Sequence, residues 1–229
     1  MYNEWPLGQV PKEIQRPELE QLAALGYTWR DPYDIVAEFE RQVAEFAGAK
    51  YGIAVDCCSH GLFLSLKYLR ATGVVTVPAN TYISVPMNIM HAGCAVDFES
   101  IPWQGMYQLK PYPIWDAAVR WHSNMYQGGL HVVSFQLKKR IPIGRGGMIL
   151  TDDEQAYQWL RRARHDGRSP DTPYIDDDIA LPGWHYYMTP EDAARGLLLL
   201  QNRLADFPDS ADYTNYDDLR QRKIFRDAT

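Results

Sequence analysis

Apolar residues recur along the chain with two alternating rhythms. After Asp31 and Pro32, the positions Val36, Phe39, Glu40, Val43 and Phe46 follow a mostly apolar helical spacing, and Gly48 stands where a helix-ending glycine belongs. Short apolar runs at 51–56, 74–78, 94–98, 112–118, 130–136 and 146–153 read as strands. Between and after them, 59–73, 83–93 and 153–167 carry helical patterns, the second despite a proline. Thr189, Pro190, Glu191 and Asp192 make a helix start that leads into the apolar stretch ending at Leu204. Strands that alternate with helices predict an α/β fold with a mostly parallel central sheet flanked by helices. The first 25 residues are Pro-rich and weakly patterned, predicting an N-terminal arm over 1–30. One large domain then spans 31–207, and 208–229 form a short acidic, Tyr-rich tail.

Composition narrows the function classes. The chain has 229 residues, enough for a buried core, and a formal charge of −6. That charge supplies no global field for a polyanion, so nucleic acid is not an expected partner. No run reaches the length of a membrane span, and the first residues lack the apolar region of a signal peptide. Three cysteines, two of them the neighbours Cys57 and Cys58, give no zinc-type spacing and no disulfide framework. A cytoplasmic setting is expected.

Four stretches carry candidate chemistry. In "IAVDCCSHG" a buried strand runs into a helix, whose first turn can hold a phosphate or can simply be capped by Ser59. In "VPANTYISV", Tyr82 follows a strand end and can stack on a flat cofactor or serve as core or rim. Asp116 ends the strand of "YPIWDAAVRW", at the sheet edge where α/β proteins collect ligands, although a helix cap is an equal reading there. Finally "SFQLKKRIPIGRGGMIL" passes Ser134, Lys138 and Lys139 before glycines that permit close backbone approach. A lysine in such a loop can turn inward for Schiff-base chemistry or remain a surface charge.

Taken in order from about Trp29 to Leu204, these stretches resemble the DegT/StrS family of sugar aminotransferases. The matching segments are "FERQVAEFAGAKYGIAV", "DCCSHG", "VPANTY", "WDAA" and "SFQLKKRIPIGRGGMILTDD". The resemblance implies a pyridoxal-phosphate transferase of fold type I, with the small C-terminal domain largely replaced by the short tail. It places the Schiff-base lysine at Lys139, five residues after Ser134, and leaves Lys138 a solvated or phosphate-side charge. It also implies that Asp116 pairs with the pyridinium nitrogen, Tyr82 stacks on the ring, and Cys58, Ser59 and Ser134 hold the phosphate. His185 falls where the family commonly has an asparagine that reaches the neighbouring subunit's phosphate.

The implied activity is transfer of an amino group from glutamate or glutamine to a keto sugar, and the resemblance implies no metal. The sugar is expected to be nucleotide-linked and the enzyme a homodimer with shared active sites. Two alternatives stand beside this: a non-catalytic binding or assembly module on the same scaffold, or another pyridoxal reaction on an amino acid. Departures from the family pattern include Cys58 for a glycine, His60 and Gly61 for two alanines, Gln136 for a histidine, Tyr187 for an arginine, and Arg145 between glycines where an acidic residue is usual. Val119 lies where a polar side chain is common.

Overall fold

The computed structural model describes residues 16–203, 206–209 and 212–226. Two hydrophobic clusters, one on each face of a five-stranded sheet, organise the chain. The sheet runs in the order β1 (Tyr51–Val55), β7 (Gly147–Thr151), β6 (Leu130–Ser134), β5 (Ile114–Asp116) and β4 (Tyr107–Gln108). Beside it, β2 (Val74–Pro78) and β3 (Ala95–Glu99) form a parallel pair, which the contact between Thr76 and Lys110 ties to the segment after β4.

The central strands are apolar at nearly every position because both faces are covered. On β1, Ile53 and Val55 point into one cluster and Ala54 into the other. The first face is covered by α2 (Tyr33–Ala47) and α6 (Pro190–Arg203), and α1 (Glu18–Ala24) packs on α6. The second is covered by α3 (Cys58–Tyr68), with α4 (Ser84–His91) and α5 (Glu154–Ala163) beside it. Since α3 lies between sheet and neighbouring helices, Leu62, Phe63, Leu64 and Leu66 are all buried. Gly61 lets it sit close, for a Cβ there would lie 2.6 Å from Val132 Cγ1.

The α/β expectation holds, with one correction to the sheet. Its hydrogen-bonded neighbours are mixed rather than mostly parallel: β7 runs against both β1 and β6, and β4 against β5, leaving only β5 and β6 as a parallel pair. The cause is local. A loop at 135–146 returns the chain as a hairpin, and the short 109–113 turn does the same between β4 and β5. Strands β1, β5 and β6 still share one direction, so their carboxyl ends meet at one edge.

Two further differences concern helices. The helix expected to continue to Gly73 stops at Tyr68, because Arg70 takes a left-handed conformation (φ +50°) and Ala71 N–H returns to Leu66 C=O. Part of the expected arm is an ordered helix: α1 is held to α6 by Arg16 with Asp192 (2.9 Å) and by Arg195 with Glu18 (3.6 Å). Residues 1–15 of the arm lie outside the described residues. The described tail packs on the body, with Leu219 N–H donating to Ala79 C=O and Phe225 buried against Phe98. Among the described residues no helix is long and apolar enough to cross a membrane.

Candidate active site

A cleft of about 910 Å³ opens where the carboxyl ends of β1, β5 and β6 meet the start of β7. Open α/β sheets bind ligands at this edge, where loops diverge from rigid strands. The cleft brings together Cys58, Ser59, Tyr82, Asp116, Ser134 and Lys139, six of the seven residues singled out from the sequence.

Asp116 closes β5 and is buried. Its Oδ2 accepts from the Tyr107 hydroxyl at 2.5 Å and its Oδ1 from the Ala118 N–H at 3.0 Å. The Tyr107 hydroxyl also bonds to Thr81 Oγ1, so a chain of three buried polar groups runs back from the cleft. Burial raises the Asp116 carboxyl above the ordinary carboxylate range, against the opposing pull of Tyr107, Ala118 and the charge of Lys139. The same burial, with Asp116 beside it, pushes the Tyr107 phenol well up, which keeps it a hydrogen-bond donor. A carboxylate in this position is stabilised by any cationic group that enters the cleft.

The two adjacent lysines separate. Lys138 is exposed, whereas Lys139 is half-buried and its charge reaches both Asp116 and Cys58. Among the described residues, Lys139 Nζ makes no ion pair or hydrogen bond within contact distance. The loop that carries it is pinned at both sides: Phe135 N–H donates to Gly146 C=O and Leu137 N–H to Gly144 C=O.

The start of α3 supplies the anion-binding element. Cys57 is its N-cap in extended conformation and makes no side-chain capping bond. The N–H groups of Cys58, Ser59 and His60 consequently have no acceptor among the described residues, as expected of a first helical turn that leaves its donors for a ligand. Gly147 makes room for this turn, since a Cβ there would lie 2.5 Å from the Cys58 nitrogen. Ser59 Oγ is 2.7 Å from Ser84 Oγ. Ser134 Oγ accepts only a long bond from Gln136 N–H, at 3.3 Å. Burial, reinforced by Asp116, pushes the Cys58 thiol up, so it enters this turn as a neutral group. Tyr82 sits at the rim with 58% of its surface exposed and no ring partner among the described residues.

His185 lies outside the cleft. It is exposed, donates from Nδ1 to Asp166 Oδ2 at 2.8 Å, and meets the ring of Tyr187. Arg145, which had no role in the sequence, donates to Asp56 Oδ2 at 2.8 Å and ties the hairpin loop to the end of β1. Tyr107 and Thr81 escaped sequence reading: Tyr107 lies in a two-residue strand with no periodic signal.

The sequence profile of the DegT/DnrJ/EryC1/StrS aminotransferase family matches residues 12–109 and 124–208. The chain belongs to that family. As a DegT/DnrJ/EryC1/StrS member it is 25% identical to the spore coat polysaccharide biosynthesis protein SpsC of Bacillus subtilis, over 84% of this chain and 63% of the relative. It is also 25% identical to the GDP-perosamine synthase of Caulobacter vibrioides, over 72% of this chain and 56% of that protein. The chain thus spans less than two thirds of the length of these curated relatives. Among solved structures, AtS13 from Actinomadura melliaura superposes with a TM-score of 0.66 at 20% identity, covering 86% of this chain and 67% of that one.

The family implies pyridoxal phosphate as cofactor, and the donor set fits it. A buried carboxylate, an unpaired lysine amine, a helix start with free N–H groups and an exposed aromatic ring converge on one cleft. These are the complements of a ring nitrogen, an aldehyde, a phosphate and a planar face.

Proposed function

We propose that this chain is a pyridoxal-phosphate-dependent aminotransferase that moves an amino group from an amino acid, glutamate or glutamine, to a keto sugar. The observation that carries this reading is the meeting of Asp116 and Lys139 in a cleft that also contains the open first turn of α3. A binding module has no need of an amine beside a buried carboxylate. A nucleotide-linked sugar is favoured by the likeness to a GDP-perosamine synthase. A homodimer with shared sites is part of the same proposal, as are a cytoplasmic setting and a contribution of His185 to the partner subunit's site.

In this reading, each residue has a distinct task. Ser59, Ser134 and the N–H groups of Cys58 and Ser59 bind the phosphate, drawing on the helix dipole. Asp116 holds a proton on the ring nitrogen, with Tyr107 and Ala118 fixing the carboxylate in place. Tyr82 covers one face of the ring. When bound, the cofactor supplies an electron sink that makes the substrate Cα–H acidic. Lys139 would be the residue that anchors the cofactor, and its amine would carry the proton to and from that carbon.

The test is a visible absorbance band on mixing the full chain with pyridoxal phosphate. Lys139→Ala is expected to abolish it and Lys138→Ala to keep it. Amino-acid donors should then bleach the band in the absence of a sugar, as the first half of transamination requires. A colourless mixture overturns the cofactor reading; a band that no amino donor changes overturns transamination.

A further inference from the structure

At the phosphate turn, three side-chain donors of different chemistry converge that the cofactor reading does not use. A carboxylate oxygen of Asp56, Sγ of Cys57 and a ring nitrogen of His60 all lie within 4.8 Å of one another. His60 Nδ1 donates to Asp56 Oδ1 at 2.6 Å. The imidazole is held flat on the Tyr186 ring, with centroids 3.7 Å apart and planes 12° from parallel. The Tyr186 C=O in turn accepts the Asp56 N–H at 2.8 Å, so a single neighbouring segment positions both side chains. All three residues are partly exposed and open to a solute.

We propose that Asp56, Cys57 and His60 form a binding site for a thiophilic divalent cation of the zinc class, with water completing the coordination. An oxygen, sulfur and nitrogen set suits a borderline-soft ion, and three protein ligands leave the open position typical of reactive zinc sites. Cys57 is the N-cap of α3 and His60 its third helical residue, positions whose side chains meet at a helix start. The stacked Tyr186 ring fixes the imidazole before any ion arrives, which is the usual work of groups around a metal ligand. An ion bound by both Asp56 and His60 takes the place of the proton shared between them.

Two features oppose the ion: the positive end of α3 and the Arg145 guanidinium on Asp56 Oδ2. Arg145 occupies the other carboxylate oxygen from the one His60 uses, and its side chain is largely exposed, so it can remain or swing out. A thiolate and a carboxylate together supply two negative charges, which offset both.

The experiment titrates cobalt(II), a coloured stand-in for zinc, into the reduced full chain. One equivalent should bind with a thiolate-to-cobalt charge-transfer band that zinc displaces. Cys57→Ser should abolish the band, and His60→Gln and Asp56→Asn should each weaken binding by at least about tenfold. Cys94→Ser, remote from the cluster, should leave it unchanged. Absence of the band in the parent chain, or its survival in Cys57→Ser, overturns the proposal. A second measurement needs no variant. Zinc should slow iodoacetamide alkylation of Cys57, read by peptide mass, and equal rates with and without zinc also overturn it. Both measurements are made with and without added pyridoxal phosphate, and cobalt binding by Lys139→Ala separates failure of this site from failure of the cofactor reading.

Discussion

The Tyr107 hydroxyl donates to Asp116 Oδ2 across 2.5 Å, and both groups are buried. A two-residue strand thus sets the orientation of the central carboxylate in the cleft. Tyr107→Phe removes this donor and also leaves Thr81 Oγ1 without its partner. The expected loss is about 1.5–3 kcal/mol of folding stability at neutral pH, the range for a hydrogen bond to a charged group. Urea denaturation checks it. Weaker binding of pyridoxal phosphate, measured by absorbance titration, should accompany the loss.

Asp116 itself should show the opposite balance. Its folded pKa lies above its unfolded value, mainly through burial. Such a group contributes stability that is complete below the unfolded pKa and disappears as pH rises through the folded one. Asp116→Asn keeps an acceptor for Tyr107 but carries no charge. Asparagine sets an amide group where Asp116 accepts the Ala118 N–H, a cost independent of pH, so the cofactor-free variant should gain stability relative to the parent as pH rises above the ordinary carboxylate range and lose that gain as pH falls back. Thermal melts across pH test this, and the same variant should lose cofactor affinity.

Gly147 is required for space rather than for backbone freedom. A Cβ there would meet the Cys58 nitrogen at 2.5 Å and the Cys57 carbonyl carbon at 2.7 Å, both backbone atoms that cannot turn aside. Gly147→Ala should cost about 1–3 kcal/mol, the usual range for overpacking. Gly61→Ala meets a side chain first, Val132 Cγ1, and should cost less. Paired denaturation curves decide the order.

Glu40 and Arg164 form a buried ion pair that joins α2 to the end of α5. Glu40 Oε1 also accepts the Ala54 N–H at 2.8 Å, and Arg164 Nη1 donates to the Ala54 C=O at 2.5 Å. Removing one member strands a buried charge, so Arg164→Ala should lose about 3–5 kcal/mol. Replacing both residues with apolar ones of similar size should recover much of that loss, which a double-mutant cycle in urea would measure.

What could be read in advance depended on how local its signal was. The helix from Tyr33 to Ala47 announced itself through apolar spacing and Gly48, whose left-handed backbone (φ +77°) the structure uses as a C-cap. Asp116 was legible because it closes an apolar strand and strand ends of like direction meet at one edge, whereas only the resemblance to the family pattern separated Lys139 from Lys138. Tyr107 was not, since its segment is too short for a period. The partner of Arg145 lies 89 residues away, and that of Glu40 lies 124 away, so neither pair leaves a mark on the nearby sequence. The reversed course of β7 depended on the length of the 135–146 loop, to which apolar patterning is blind.

That reversed strand also bears on how the chain can change. Ser134 and Gly147 face each other on neighbouring strands, and the loop between them closes as a hairpin rather than a crossover. Within the hairpin Ile141 and Ile143 are buried in the core, so the loop is anchored by its own side chains as well as by its two strands. A change of length between 137 and 143 would therefore move Lys139 and its apolar anchors together, and selectivity is more freely retuned at the exposed positions 136–138 than by insertion or deletion.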